Sequence, residues 1–184
     1  VDTWFRRDVR QLALDMRLPI QFPLKSYTQG TDLTRWPAML EWIEARLRDS
    51  AFAHTSISPN FNARPWGCLH ERFVCQHNQH VSPTVWLAFH GTSRLAAQSI
   101  LQHGFAASQR GVANGQVFGA GEYFALEPSK TYVTRPGAGT DGVLLVCCLL
   151  ILPLQYQLVN DSKWVIMTAP DPSSMILPMA MVTI

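Results

Sequence analysis

The chain has 184 residues, with 15 lysines and arginines against 13 aspartates and glutamates and a formal net charge of +2, a length that suits one domain with room for a helical flap. Hydrophobic residues make up 47% and charged residues 15%, against about 25% charged in ordinary soluble domains, which excludes a disordered chain or a polyelectrolyte. Basic and acidic groups balance everywhere, eight against seven over residues 1–50 and seven against six over 51–184, so no basic stripe exists to bind phosphates, which argues against nucleic acid as the main partner.

Apolar residues recur at helical spacing from Trp4 to Met16, and Pro19 and Pro23 end that helix. A second helix is expected from Pro37 to about Arg48, with Thr34 or Asp32 available to cap it. Ser56–Pro65, rich in Ser, Pro and Asn, reads as a loop or irregular edge, and Cys68–Cys75 as a strand. Val85–His90 is a short apolar strand, after which Gly91-Thr92-Ser93 opens a helix to His103, with Gly104 as its stop. Residues 106–121 are loop-like, Glu122–Ala125 a short strand, Pro128–Val133 a short helix and Arg135–Gly142 a turn. Strands follow at Val143–Leu152, Gln155–Val159, Lys163–Met167 and Met179–Ile184. Helices lie early and strands late, which predicts an α+β fold with a mostly antiparallel sheet.

Cys147 and Cys148 sit side by side in the apolar run Val143–Leu152, where adjacent side chains on a strand point to opposite faces. They read as small hydrophobes and not as a disulfide framework. A membrane span needs about twenty apolar residues, so this shorter run reads as a core strand. No signal-peptide pattern opens the chain and its first residue is Val. The expectation is a piece of a longer protein, located in the cytoplasm or nucleus, with no membrane partner.

Chemistry concentrates in three strings. Leu87-Ala-Phe-His90-Gly91-Thr92-Ser93 brings a strand to a His at a Gly turn, a corner where ligand atoms can approach the backbone closely. Phe118-Gly-Ala-Gly121-Glu-Tyr123-Phe124-Ala125 supplies a glycine-rich loop and an aromatic strand, and Ser129-Lys130-Thr131-Tyr132 follows. A His, the backbone amide and carbonyl of Gly91 and an aromatic ring together suit a flat carboxamide joined to a ribose.

These strings resemble the signatures of the ADP-ribosyltransferases of the poly(ADP-ribose) polymerase type, a diphtheria-toxin-like family: HG[ST], then FGxGxYFA, then SK[ST], in that order. The resemblance is close from Val85 to the C-terminus and weaker from about Ile57. It implies a split, mostly antiparallel sheet preceded by a helical segment, here residues 1–50, with the catalytic domain over 51–184. It implies NAD+ as co-substrate and no metal. Gly91 would bond the nicotinamide carboxamide through its backbone, and the Thr131 hydroxyl would add to the same group. His90 would bond the adenosine ribose, Tyr123 would stack on the nicotinamide ring, and Tyr132 would stand near the family's second tyrosine. Thr92 and Phe124 would line the same site, and Ala106–Gln116 would form the loop beside it.

The family breaks the bond between nicotinamide and ribose through an oxocarbenium-like transition state, so the enzyme must orient the leaving group and tolerate positive charge. Polymer-forming members hold a ribose hydroxyl with a glutamate on a late strand. Here that register puts Lys163 in the glutamate's place, completing the catalytic set His90, Tyr123 and Lys163. An ammonium beside developing positive charge is unfavourable unless it points outward. Asp161 and Glu122 are the nearby carboxylates. Two readings follow: a mono-ADP-ribosyltransferase acting on a protein or nucleic acid acceptor, or a weak or inactive module that binds NAD+, ADP-ribose or a protein. The short stretch Pro153–Ser162 offers little to hold a growing polymer.

The remaining features read as structural. Cys68, His70, Cys75, His77 and His80 match no closed zinc pattern. Tankyrase-like relatives carry zinc just before the long strand, but Val133–Gly142 has neither Cys nor His. The six tryptophans are scattered as core residues would be, and the early helices are expected to pad the back of the sheet. An RNA 2'-phosphotransferase of the same general fold would need clustered basic groups, and Arg94, Arg110, Lys130, Arg135 and Lys163 form no cluster in the sequence.

Overall fold

The computed structural model describes residues 41, 43–45, 47–48, 52–64, 67–81, 83–110, 118–128, 141–160 and 163–184. The helix expected over Trp4–Met16 and nearly all of Pro128–Gly142 lie outside these residues, as do Thr131, Tyr132 and Asp161. Seven strands are present among the described residues: β1 (Ser56–Pro59), β2 (Thr84–Ser93), β3 (Glu122–Ala125), β4 (Gly142–Ile151), β5 (Tyr156–Val159), β6 (Trp164–Met167) and β7 (Ile176–Thr183). Helices α1 (Cys68–Asn78) and α2 (Arg94–His103) pack onto them with the single turn α3 (Pro172–Met175). The strands form one sheet in the order β1-β7-β4-β2-β3-β6-β5. Every pairing is antiparallel. This is the α+β, mostly antiparallel architecture that the sequence predicts.

The sheet is built around β4. It pairs along its whole length with β2 and along most of it with β7, and residues 143–150 have no exposed surface. Adjacent residues Cys147 and Cys148 are both fully buried, so both faces of the strand are covered. That is why β4 reads as an unbroken apolar run and not as an alternating one. Burial pushes both thiols well above their ordinary range, and they stay protonated and unreactive. The helical residues 43 and 47, Ile and Leu, belong to the same core cluster.

Four expectations change. Cys68–Cys75 is helical and not a strand, because Leu69, His70, Phe73 and His77 make one buried stripe at helical spacing. The helix spreads Cys68 and Cys75 outward, and no group of three or more His, Cys, Asp or Glu side chains gathers among the described residues. Helix α2 starts at Arg94 rather than at Gly91, since β4 continues to Gly142 and supplies partners as far as Ser93. Ser93 then caps the helix by accepting from the Ala96 N–H at 3.3 Å. Gly104 ends it as expected, its N–H bonding the Ile100 carbonyl at 2.8 Å.

Strand β7 begins at Ile176, before Pro178 and not after it. Proline has no N–H to give a ladder, and the register slips here: Val146 pairs with Ala180 but Cys147 with Pro178. This bulge passes Pro178 through the sheet. Asn60, directly after β1, repairs the other edge, as its N–H bonds the Met179 carbonyl at 2.9 Å and its side-chain amide the Pro178 carbonyl at 2.7 Å. Within Ser56–Pro65, expected as a loop or irregular edge, Ser56–Pro59 is thus a regular strand on β7.

Asn60→Ala leaves the buried Pro178 carbonyl without its side-chain donor, which costs about 1–3 kcal/mol. Urea titration followed by circular dichroism should show a lower midpoint with an unchanged slope.

Candidate active site

Beyond Phe89 the sheet parts. β2 keeps its pairing with β4 to the end, but its only ladder pair with β3 is Phe89 with Ala125. His90 spans the opening: its Nδ1 lies 2.9 Å from the Tyr123 carbonyl. A carbonyl can only accept, so Nδ1 carries the proton and donates, which leaves the Nε2 lone pair to accept from a ligand. The ring packs edge-on against Phe105 at 5.1 Å and tilted against Phe124 at 5.4 Å, while Phe105 and Phe124 also touch. Burial in this aromatic setting holds the imidazole below its ordinary 6.5, opposed by the bond to Tyr123. His90 is therefore neutral at physiological pH.

Gly91 and Thr92 stand opposite Leu144 and Val143 on β2, half-buried, on the margin that β3 leaves free. This differs from the helix mouth that the sequence suggested. The backbone available to a ligand at Gly91 is a strand edge, with the first turn of α2 three residues further on.

Across the opening, two glycines of the Phe118–Ala125 string have separate duties. Gly119 has φ +104°, a conformation that disfavours side chains. Gly121 lies so close to β6 that a Cβ would come within 2.6 Å of the Met167 carbonyl oxygen and 2.5 Å of an Ile166 methyl. The loop doubles back over Tyr123, whose hydroxyl donates to the Gly119 carbonyl at 2.6 Å and accepts from the Phe118 N–H at 3.1 Å. Gln157 on β5 secures the same turn by donating to the Phe118 carbonyl at 2.9 Å. The tyrosine ring is thereby fixed by partners at its far end.

Glu122 is buried and is held in a bidentate pair by Arg110, with both contacts at 2.7 Å, and Arg110 also donates to the Ala169 carbonyl. Both carboxylate oxygens are taken, so Glu122 is a structural anion. Lys163 is exposed and lies in the turn before β6, not on the strand itself. Its N–H bonds the Asn160 carbonyl and its carbonyl accepts from Leu126 N–H, both at 3.1 Å. That places it beside the chain leaving β3, three residues along from Tyr123.

The structure thus brings His90 to the Tyr123 backbone and sets Gly91 and Thr92 along the opening. Phe124 has no exposed surface and lies behind His90. The sequence reading gave no role to Phe105 or Gln157, and placed Arg110 only within the loop expected beside the site. A helix stop followed by a lone aromatic offers a faint signal for Phe105, but nothing in the sequence pairs Arg110 with Glu122 or Gln157 with Phe118. The opening, with an unprotonated imidazole nitrogen, strand-edge peptide groups and a fixed aromatic ring, fits a ligand that has ribose hydroxyls, a carboxamide and a flat ring.

Gly121→Ala should lower stability by about 1–3 kcal/mol, the usual range for overpacking, because the Met167 backbone cannot retreat from a new methyl without breaking the β3–β6 ladder. Thermal melting read by near-ultraviolet circular dichroism checks this, and an unchanged midpoint contradicts the packing reason given for the glycine.

A search of curated proteins found no match to the chain. A family model described as the poly(ADP-ribose) polymerase catalytic domain matches residues 64–177. The match takes in more than half of the chain and runs from the approach to α1 into the start of β7, enclosing His90, Gly91, Tyr123, Arg110 and Lys163. With the antiparallel sheet and the opening beside His90, it establishes that this chain belongs to the poly(ADP-ribose) polymerase catalytic domain family, whose activity is ADP-ribosyl transfer from NAD+.

Proposed function

We propose that this domain cleaves NAD+ between nicotinamide and ribose and transfers a single ADP-ribose unit to a protein acceptor. The observation that carries the single-transfer reading is Lys163, exposed in the turn before β6, where the family resemblance puts the glutamate of polymer-forming members. Extension of a polymer needs a group that polarises a hydroxyl of an ADP-ribose already attached. A lysine ammonium there accepts no proton, and Glu122 is consumed by Arg110. One transfer can still proceed, because breaking the nicotinamide bond depends on orienting the leaving group.

In this reading the Gly91 peptide group aligns the carboxamide and Thr131 adds a hydroxyl to it. The Tyr123 ring stacks on the nicotinamide, and Tyr132 takes the part that the resemblance gives to the family's second tyrosine. His90 Nε2 accepts from the adenosine ribose. Thr92 borders the pocket along β2, and Phe124 acts by holding the His90 ring.

Incubation of the chain with radiolabelled NAD+ and a cell extract should release nicotinamide and leave labelled proteins whose adducts are single units by mass spectrometry. Polymer ladders contradict the role given to Lys163. Binding of NAD+ without any release supports the inactive-module reading. Neither release nor a thermal shift with NAD+ removes the NAD+ reading altogether.

The protonation state of His90 gives a second check. Burial lowers its pKa from 6.5, so the neutral acceptor form persists above that pH. NAD+ affinity should be flat from about pH 8 down to the ordinary histidine value and fall only below it. Folding stability moves the same way: the unfolded histidine binds its proton first, so stability is lost as pH drops from 6.5 through the lower folded value. Titration calorimetry across this range checks the first statement, and a loss of affinity beginning above 6.5 contradicts it.

A further inference from the structure

The two parts of the sheet, β1-β7-β4-β2 and β3-β6-β5, meet in the one ladder pair of Phe89 with Ala125, at the C-terminal end of β3. Next to it His90 holds the Tyr123 carbonyl at 2.9 Å, and Glu122, the first residue of β3, has a further tie of its own. The chain from β2 provides it. After α2 and Gly104, Phe105 packs against His90, a single 3-10 turn spans Ala107–Gln109, and Arg110 follows with its N–H on the Ala107 carbonyl at 3.1 Å. The guanidinium then crosses to β3, where Nε and Nη2 each meet one Glu122 oxygen at 2.7 Å, and Nη2 also donates to Ala169 just past β6. One side chain joins the segment that buttresses His90 to the first residue of β3 and to the exit of β6.

The next residue completes the arrangement. Tyr123 holds Phe118 and Gly119 through its hydroxyl. Consecutive residues of β3 therefore hold both Arg110 and Phe118. The Arg110 and Glu122 side chains are 17% and 7% exposed, so water does little to screen the pair. A forked guanidinium on a carboxylate fixes distance and plane together, which a lysine would not do.

Resting on the NAD+ reading above, we propose that Arg110 is a positioning residue: its bidentate pair with Glu122 fixes the start of β3 and, together with the His90–Tyr123 bond, the placement of Tyr123 for the NAD+ that both His90 and Tyr123 border. Neither Arg110 nor Glu122 touches the reacting atoms in this account. They act through the placement of β3, where a misplacement of about 1 Å is enough to matter for a positioned substrate.

The test compares the whole chain with its Glu122→Gln and Arg110→Lys variants, measuring KM and kcat for nicotinamide release beside a urea midpoint for each protein. In Glu122→Gln the KM for NAD+ should rise about tenfold while kcat stays within about threefold, the pattern of lost binding geometry without lost chemistry. Arg110→Lys keeps the charge but loses the fork, and should show a smaller rise in the same constant. Lower urea midpoints with unmoved KM in both variants would mean a merely structural pair and overturn the inference. If Glu122→Gln does not fold, Arg110→Lys decides alone by the same criterion. Wild-type turnover with unmoved variant constants sinks only this inference, whereas wild-type protein that neither binds nor cleaves NAD+ sinks the functional reading with it.

Discussion

The bond from His90 Nδ1–H to the Tyr123 carbonyl is the contact on which the site turns. It lies where β2 and β3 cease to be a ladder. A sheet that continued to pair here would satisfy its own backbone and leave nothing for a ligand. A sheet that parted without a tie would leave buried peptide groups unpaired, a penalty that native structures avoid. The imidazole resolves this by satisfying one carbonyl with its side chain. The same bond fixes the tautomer, turning Nε2 into an acceptor, and the Phe105–Phe124 pair fixes the ring plane. Placement, protonation and available lone pair come from one set of contacts.

Such an opening is tolerable because its two margins are anchored elsewhere. β2 is supported by ten consecutive pairs with β4, which is buried on both faces. β3 is only four residues long and borrows its order from β6, Arg110 and the loop over Tyr123. The contrast between a rigid wall and a wall assembled from side-chain ties suits a site that must orient a leaving group. It also explains the glycines of the signature string, of which one turns the loop and another lets β6 come close.

Few charges are used for this. The chain has only six acidic residues after position 50. Of these, Glu122 is committed to Arg110, and Asp171 caps α3 by accepting from Ser173. In the proposed reading the nucleotide site relies instead on peptide groups, a neutral histidine and aromatic rings, none of which adds net charge. The balanced composition suits such a site.

The sequence alone determined the family, the long core strand, the limits of β3 at Glu122 and Ala125, and the end of α2 at Gly104. Those features follow from local rules: apolar runs, glycine punctuation and a short signature whose spacing leaves little freedom. The tertiary structure decided what depends on partners far along the chain. Cys68–Asn78 is a helix although two positions of its buried stripe are histidines, which weakens the hydrophobic period that would reveal it. β7 passes through Pro178 because a bulge against β4 accommodates a residue with no N–H, while the distant Asn60 amide donates to the Pro178 carbonyl. β2 outruns its expected end because β4 offers partners to Ser93. The pairing of Arg110 with Glu122 leaves no trace in any periodicity, since one comes from the end of a loop and the other from a strand that folding brings beside it. The sequence named the chemical groups, and only packing could set the distances between them.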